Sequence, residues 1–531
     1  MQNSALLIVA LFAGIIVSAI VAQKLRVPYP IAFVVIGIAV AFVPGIPTPQ
    51  VNPAVLFTVV LPPLLFAGGW TTDWYDFKRN IGPISLLAVG LVLLSTVVIA
   101  VLAHRLAGFD WPMAFVLGAI VSPPDAVAAE AIFQRMAVPR RIAAIVEGEG
   151  LVNDGTALVL YRFAVAAAVT GIFSFAQASF AFVLNVAGGI VCGLVIGMVI
   201  ELVLRVLMRA NVEDAAVANV VGLLAPYAAY LPADALGVSG VLSAVTAGVY
   251  VSRRSQAIFT PEGRVVASSV WSVMLLLLNG LVFLLIGLLL PSLVRSLPEA
   301  IGHYLWFALL VTVALILVRF AWVFIVSPLR RKILRVGARD PNPPWQVLFI
   351  LSWSSMRGIV SLAAALALPY MTAAGTPLPN RSEIIFVTLC VIVLTLLLHG
   401  VTLEPLIARL GLSETDARRS QEIAIRVNAL QQGLRYLRSI EPTLQTPGEL
   451  EAAGRLMGEY DRRIAHLQGH LDDDQSRREA QDERESDQRL ELEALDAERR
   501  EIARLRSRGE IPDDIYQAIE YDLDLAGLRL H

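Results

Sequence analysis

The feature that most constrains this chain is a series of apolar segments, each long enough to cross a lipid bilayer. A helix needs about 20 consecutive apolar residues to span the hydrocarbon core. Of the 531 residues, 56% are hydrophobic and the mean hydropathy is +0.68, which is too apolar for a soluble protein of this length. The sequence therefore predicts an all-α membrane protein. Thirteen candidate spans lie at 4–22, 28–46, 54–70, 82–104, 111–133, 140–168, 180–204, 215–232, 236–252, 267–292, 301–327, 345–369 and 383–407.

The basic residues between the spans support this count and predict the orientation. Seventeen Lys or Arg residues follow odd-numbered spans, whereas Arg105, Arg295 and Arg381 follow even-numbered ones. A missed or extra span would exchange odd- and even-numbered loops from that point onward and remove this alternation. Because Lys and Arg are retained on the cytoplasmic side of a membrane, thirteen spans place the N-terminus outside and the C-terminal tail in the cytoplasm.

The distribution of charge divides the chain into two predicted domains. Residues 1–411 form the transmembrane domain. Residues 412–531 hold more than half of the 44 Asp and Glu residues and form a charged helical tail, with an apolar stripe of helical period at 421–440. We interpret the tail as a helical hairpin, packed on itself or on a dimer partner, or as a regulatory surface; the alternative is a solvated charged helix.

The residue pattern predicts no cofactor and no nucleic-acid partner. Cys192 and Cys390 both lie in apolar runs, and the six histidines are scattered without the spacing of metal ligands. The tail contains no nucleotide-binding motif. The candidate functional groups are therefore the ionisable residues within the spans. Burying a charge there costs free energy, so each such residue is expected to have a functional or structural role.

Span five contains a predicted helix break next to an acidic residue. Pro123 and Pro124 remove two backbone donors and clash with the preceding turn, so the helix must break there. The freed carbonyls are tolerated at membrane depth only where they line a cavity or meet protein groups. Asp125 follows at once, and a carboxylate beside free carbonyls suits a partly dehydrated alkali cation. The alternative is a proline kink in which Asp125 merely caps the second half-helix.

Span six carries several polar residues within two turns. Glu149 and Asn153 lie four residues apart and share one helix face, whereas Asp154 is rotated by about 100° toward a neighbouring element. Glycines such as Gly150 allow another backbone to approach closely. The alternative is that these residues only form polar contacts that hold neighbouring helices together. Burying two acids and an Asn-Asp pair in the membrane costs more free energy than such contacts require.

Span twelve supplies a buried cation and a second candidate interruption, in Ser352-Trp-Ser-Ser-Met-Arg357-Gly358. Arg357 cannot lose its proton and requires an anionic partner. We predict that this partner is Glu149, with Glu147 as the second choice. Two further arginines inside spans, Arg319 and Arg162, are interpreted as structural ion pairs or as side chains that reach the membrane surface.

The order of the spans predicts an inverted repeat. Spans five and twelve are seven apart, an odd number, so they run in opposite directions. Two six-helix repeats, spans 1–6 and 8–13, would then be related by inversion, with span seven as the linker. Interrupted helices at corresponding positions of two such halves indicate a substrate site at the membrane midplane.

At these positions the chain resembles the monovalent cation:proton antiporter family, which includes bacterial and archaeal sodium/proton antiporters and eukaryotic sodium/proton exchangers. The resemblance covers about residues 1–411, and its motifs occur in the family's order on the expected spans. The matching segments are Leu61-Pro-Pro-Leu-Leu-Phe66, Ser122-Pro-Pro-Asp125-Ala-Val-Ala, Glu149-Gly-Leu-Val-Asn153-Asp154-Gly-Thr156-Ala, Leu278-Asn279-Gly-Leu-Val-Phe-Leu-Leu-Ile-Gly287 and Ser354-Ser-Met-Arg357-Gly-Ile-Val-Ser361-Leu-Ala.

The resemblance implies a role for each matching residue. Asp154 would carry the cation or the proton, Asp125 would support the cation site and Asn153 would orient or solvate the ion, so that both aspartates contact the transported cation. Glu149 and Arg357 would form a structural ion pair. An Asn-Asp pair is usual in electroneutral members, which exchange one cation for one proton.

Two departures from the family pattern leave the cation open. Ala67 stands in span three where some relatives have a glutamate, and Gly150 stands where some have a serine ligand. Both positions bear on the choice or the affinity of the cation.

The expected function is exchange of Na⁺ or Li⁺ for H⁺ across the plasma membrane by alternating access, in a homodimer that serves pH homeostasis and sodium transport. One alternative is K⁺/H⁺ exchange on the same fold. An alternative of another class, an intramembrane aspartyl protease, would need Tyr-Asp and Gly-x-Gly-Asp motifs on uninterrupted helices. This sequence has Pro-Asp125 at a break and Asn-Asp154 instead.

Overall fold

The computed structural model of the chain describes residues 2–25, 27–43, 56–171, 175–210, 215–259, 261–296, 301–334, 343–413 and 415–469, and scattered residues between 489 and 527. Apart from two isolated bridges, the regular elements of these residues are helices. This confirms the predicted all-α class. The backbone contacts divide the chain into two units, Met1–Ser413 and Glu414–His531, which are described separately.

The helices of the first unit occupy the positions of the predicted spans. Seven of the described helices are long and apolar enough to cross a membrane; the count of thirteen crossings stays a prediction. The bounds are α1 Gln2–Leu25, α2 Tyr29–Ala41, α3 Leu61–Thr71, α4 Ile81–Leu106, α5a Trp111–Val121, α5b Val127–Met136, α6 Arg140–Thr170, α7 Phe175–Arg209, α8 Ala215–Ala235, α9 Gly240–Ile258, α10 Pro261–Ser296, α11 Ile301–Leu334, α12a Trp345–Trp353, α12b Ile359–Leu366 and α13 Arg381–Arg409.

Two sets of helices pack closely within this unit. In one set α2 packs on α10, and α9 packs on both α3 and α7. In the other, α5a packs between α4 and α6, and α13 contacts α11 and α12b. Small residues permit the closest approaches: a Cβ at Gly37 of α2 would meet the backbone of Leu284 and Gly287 on α10. Such contacts are typical of helices that associate in a membrane.

Two helices are interrupted, at the positions that the sequence predicts. Span five stops at Val121 and resumes at Val127, since neither Pro123 nor Pro124 can donate a helical hydrogen bond. Span twelve stops at Trp353 and resumes at Ile359. Span six is continuous from Arg140 to Thr170 despite its glycines.

The described part of the second unit is a pair of helices, α14 (Thr415–Ile440) and α15 (Pro447–Gly469), joined by a short turn. Their apolar stripes pack together, as expected for a hairpin. Gly433 lies against the ring of Tyr460 and leaves no room there for a side chain. The contacts comprise Ile423, Val427, Leu430, Leu434, Met457, Tyr460, Ile464 and Leu467.

The second helix of this hairpin begins with a capping box. The Thr446 hydroxyl accepts a hydrogen bond from the Glu449 backbone N–H at 3.3 Å, and the Glu449 carboxylate accepts from the Thr446 N–H at 3.1 Å. These hydrogen bonds, which favour the carboxylate form, lower the pKa of Glu449 below its usual range. Because the folded-state pKa is lowered, the contribution of Glu449 is present above its unfolded-state pKa and is lost as the pH falls through the folded value.

Thr446→Ala should loosen the first turn of α15, because it removes an acceptor for an otherwise free backbone N–H. Loss of such a cap costs about 1 kcal/mol, so amide hydrogen exchange over residues 447–452 should accelerate about fivefold. Exchange measured by mass spectrometry on the full chain in detergent checks this, with residues 423–434 as the internal reference. Unchanged exchange at residues 447–452 would contradict the capping box.

Candidate functional site

The two interrupted helices cross at their breaks. The backbone N–H of Asp125 donates to the carbonyl of Met356 at 2.7 Å, and the two residues form an antiparallel bridge. Gly358 lies beside Asp125 so closely that a Cβ at this position would overlap the carboxylate. The breaks of the two halves therefore meet in opposite directions, as an inverted repeat requires.

Asp125 lies at the N-terminal ends of both second half-helices. Its Oδ1 accepts from the Val127 N–H at 2.9 Å, at the start of α5b, and its Oδ2 accepts from the Ile359 N–H at 3.4 Å, at the start of α12b. A helix N-terminus carries about half a positive charge. One carboxylate thus offsets two of these ends, so the capping role considered for Asp125 is present and extends to both halves.

Arg357 lies at the C-terminal ends of both first half-helices. Its Nε donates to the carbonyl of Val121 at 3.1 Å, and its Nη1 donates to the carbonyl and the hydroxyl oxygen of Ser355, each at 2.6 Å. These carbonyls follow or end α5a and α12a, where the helix dipole is negative. The buried guanidinium is therefore satisfied by carbonyl and hydroxyl oxygens.

The predicted ion pair between Glu149 and Arg357 is wrong. Glu149 instead forms a two-pronged ion pair with Arg319 of α11, in which Nη2 donates to Oε2 at 2.7 Å, and both side chains are at most 2% exposed. Arg319 also donates from Nε to the carbonyl of Leu351 at 3.1 Å. Two arginines lie near this depth, and the sequence alone does not indicate which guanidinium faces the glutamate.

The second of these two intramembrane arginines, Arg162, forms an ion pair with Asp234 of α8, in which Nη2 lies 2.6 Å from Oδ1. Both side chains are more than two-fifths exposed. The two arginines that the sequence assigns to ion pairs or to the membrane surface are therefore both ion-paired.

Asn153 connects α6 to the break in span five. Its Nδ2 donates to the carbonyl of Pro124 at 2.8 Å, and the residue is fully buried. A carbonyl freed by the two prolines thereby gains a donor. The Oδ1 of Asn153 has no hydrogen-bond partner within the described part of the chain.

Asp154 faces a cavity of about 100 Å³ at the crossing. A cavity of this size holds several water molecules or a partly hydrated ion. Among the described residues Asp154 makes no hydrogen bond and no ion pair. The polar side chains lining the cavity are Thr71, Thr72, Asp125, Glu130, Glu147, Asp154 and Ser361.

The lining of this cavity is acidic. It includes four carboxylates, and none of the described residues that line it is Lys or Arg. The sequence predicts no role for Glu130 in this site and gives Glu147 only as the second-choice partner of Arg357. Oxygen ligands and negative charge are what a hard monovalent cation requires.

The two positions that depart from the family pattern differ in location. Ala67 is buried in α3 and does not line the cavity, whereas Gly150 does. A Cβ at Gly150 would lie 2.7 Å from the Cβ of Ala126, so this spacing leaves no room for a side chain.

Two interrupted helices that cross in opposite directions, with carboxylates in a cavity at the crossing, define the class of the protein as a secondary transporter. The family model of the transmembrane sodium/hydrogen exchanger matches residues 7–409. The chain belongs to this family, which is a family of transporters.

Individual relatives and a solved structure agree with this assignment. A Bacillus pumilus protein named as a sodium, potassium, lithium and rubidium/proton antiporter is 34% identical over 389 residues, which is 71% of this chain but only 57% of the relative. An Escherichia coli protein named as an uncharacterized sodium/proton exchanger is 30% identical over 514 residues, covering 94% of this chain and 93% of that one. The sodium/proton antiporter MjNhaP1 of Methanocaldococcus jannaschii has the same fold, with a TM-score of 0.59 at 17% identity, over 77% of this chain and 99% of the other.

Arg319→Met should destabilise the protein strongly, because it leaves the Glu149 carboxylate buried without its cation. Breaking one side of a buried pair costs about 3–5 kcal/mol, and Glu149→Gln in the same chain should recover much of it. Thermal unfolding of purified protein in detergent measures both variants.

Arg162→Met is the matched control, because the Arg162–Asp234 pair is exposed and its loss should cost about 1 kcal/mol or less. A double-mutant cycle that gave stronger coupling of Glu149 to Arg357 than to Arg319 would contradict the assignment.

Proposed function

We propose that this chain exchanges Na⁺ or Li⁺ for H⁺ across the plasma membrane by alternating access, with Asp154 as the residue that carries either ion. The observation that carries the proposal is the contrast between the two aspartates at the crossing. Asp125 accepts hydrogen bonds from two backbone N–H groups, whereas Asp154 lines the same cavity and has no partner among the residues that the structure describes. A carboxylate without a partner is free to bind an ion.

A single carboxylate couples the two ions because they compete for it. An aspartate in open water stays ionised at neutral pH and could not carry protons. In the cavity, low-dielectric surroundings and the charge of Asp125 favour occupation of Asp154 by whichever ion neutralises it, a proton or a cation. Asn153 does not titrate, so each cycle moves one cation against one proton and transfers no net charge.

The proposed orientation makes this cavity accessible from the cytoplasm. Under the positive-inside rule the loops with Lys78 and Arg79, and with Arg140 and Arg141, are cytoplasmic. Glu147 lies two turns from the start of α6, on the side of those loops. The acidic residues at this side would concentrate cations near Asp154. We also propose, from the family resemblance, that the chain acts as a homodimer with its tail in the cytoplasm.

The alternative cation is K⁺, and one observation favours keeping it. The Bacillus pumilus relative is named for sodium, potassium, lithium and rubidium. Because the cavity offers oxygen ligands, which bind all of these cations, the choice depends on spacing and must be measured.

Asp154→Asn should abolish exchange, because an amide neither releases a proton nor neutralises a cation. The assay is reconstitution in liposomes with a fluorescent pH probe, with Na⁺, Li⁺, K⁺ and Rb⁺ added in turn. Asp234→Asn, which neutralises an aspartate of an exposed ion pair outside the cavity, serves as the control and should retain transport. Sodium-driven proton flux at the wild-type rate in Asp154→Asn would disprove the assignment.

Exchange by the wild-type protein should be insensitive to membrane voltage, because one charge moves in each direction. The same liposomes, clamped at zero and at about −100 mV with a potassium gradient and valinomycin, measure this with Na⁺ as the driving ion. A rate that changed severalfold with voltage would show net charge movement and would contradict the one-for-one stoichiometry.

A further inference from the structure

The second half-helix of span twelve carries a polar side chain that the exchange site described so far does not use. Ser361 lies in α12b between apolar neighbours and is 2% exposed. It lines the cavity that contains Asp154. Within the described residues its hydroxyl has no hydrogen-bond partner.

Two buried hydroxyls on nearby helices are satisfied in a different way. Ser352 of α12a donates to the carbonyl of Leu348 at 2.7 Å, and Thr395 of α13 donates to the carbonyl of Val391 at 2.8 Å. Donation to the carbonyl four residues earlier is the ordinary solution for a hydroxyl inside a helix. Ser361 is the third residue of α12b, so the carbonyl four residues earlier belongs to Arg357 in the break, and within the described residues the Ser361 hydroxyl donates to neither this nor another carbonyl. In the cavity, the lone pairs of its oxygen can bind a cation while its O–H donates to water or to a carboxylate.

The chemistry of the cavity defines what that ligand is. A partly dehydrated alkali cation needs several oxygen ligands. Asp154 supplies a carboxylate, while the oxygens of Asp125 already accept backbone hydrogen bonds. Gly150, on the α6 side of the cavity, has no side chain and no room for one. On the α3 side, the hydroxyls of Thr71 and Thr72 donate to carbonyls of their own helix at 3.1 and 2.8 Å, whereas the Ser361 hydroxyl on the α12b side has no such partner among the described residues.

We propose that the hydroxyl oxygen of Ser361 is a direct ligand of the transported cation. The ion would then be held between Asp154 of α6 and Ser361 of α12b, which belong to the two opposite halves of the inverted repeat. This inference rests on the proposed cation exchange and adds a residue to its site. Because a hydroxyl is neutral, Ser361 adds affinity for the cation without changing the number of protons exchanged.

Ser361→Ala should raise the concentration of Na⁺ or Li⁺ that gives half-maximal exchange by about 3- to 10-fold, the effect of losing one polar contact. The maximal rate at saturating cation and the insensitivity to voltage should stay near the wild-type values. The assay is proton flux in liposomes, together with the dissociation constant of Na⁺ measured by calorimetry on purified protein. Ser361→Thr keeps the hydroxyl and should bind Na⁺ with nearly wild-type affinity.

Ser352→Ala is the matched control, since it removes a buried hydroxyl from the same interrupted span outside the cavity. Its dissociation constant for Na⁺ should equal that of the wild type. Ser361→Cys provides a second test if the alanine variant folds poorly, because it keeps the volume but replaces the hard oxygen by a soft sulfur, and Na⁺ affinity should again fall.

The outcomes separate this inference from the proposed function. Wild-type affinity for Na⁺ and Li⁺ in folded Ser361→Ala or Ser361→Cys protein would overturn the role of Ser361 while leaving exchange intact. Equal losses of affinity in Ser352→Ala and Ser361→Ala would also overturn it, because the effect would then be one of packing. Absence of cation-driven proton flux in the wild-type protein would instead disprove the proposed exchange.

Discussion

The site depends on electrostatic compensation at the crossing of two broken helices. Breaking two helices inside a membrane creates four helix ends with partial charges and free backbone groups, which hydrocarbon cannot satisfy. Asp125 accepts from the N-termini of α5b and α12b, and Arg357 donates to carbonyls at the C-terminal sides of α5a and α12a. One anion and one cation therefore offset all four ends.

Because Asp125 and Arg357 offset the partial charges of the four helix ends, the charge of Asp154 is not needed for that purpose. Two contacts on its own helix fix its position: Asn153 donates to the carbonyl of Pro124, and Glu149 binds Arg319. The first contact attaches α6 to the break, and the second attaches it to α11. Asp154 is thus held in place by its neighbours, while its own carboxylate has no partner in the described part of the chain, which is the arrangement that the proposed exchange requires.

The sequence predicts the interruptions well because their causes are local. Pro123 and Pro124 break a helix in any context, and the acids at membrane depth indicate a site through the cost of burying them. The family resemblance adds roles for Asp125, Asn153 and Asp154 that the residue pattern alone leaves open.

Contacts between side chains of distant spans cannot be predicted from local sequence, unlike the helix breaks. The partner of Glu149 depends on how α11 and span twelve are rotated against α6, and the periodicity of an apolar helix contains little information about that rotation. The contribution of Glu130 and Ser361 to the cavity wall depends on packing for the same reason. In each case the sequence identifies the type of residue, and the fold decides what it faces.

The central claim is that a proton and a cation compete for one carboxylate, Asp154. The most direct measurement is the release of protons from purified, weakly buffered protein when NaCl or LiCl is added, followed with a pH indicator and compared with choline chloride. The account predicts about one proton released for each cation bound, and no release from Asp154→Asn. Saturable cation binding to the wild-type protein without release of protons would contradict it.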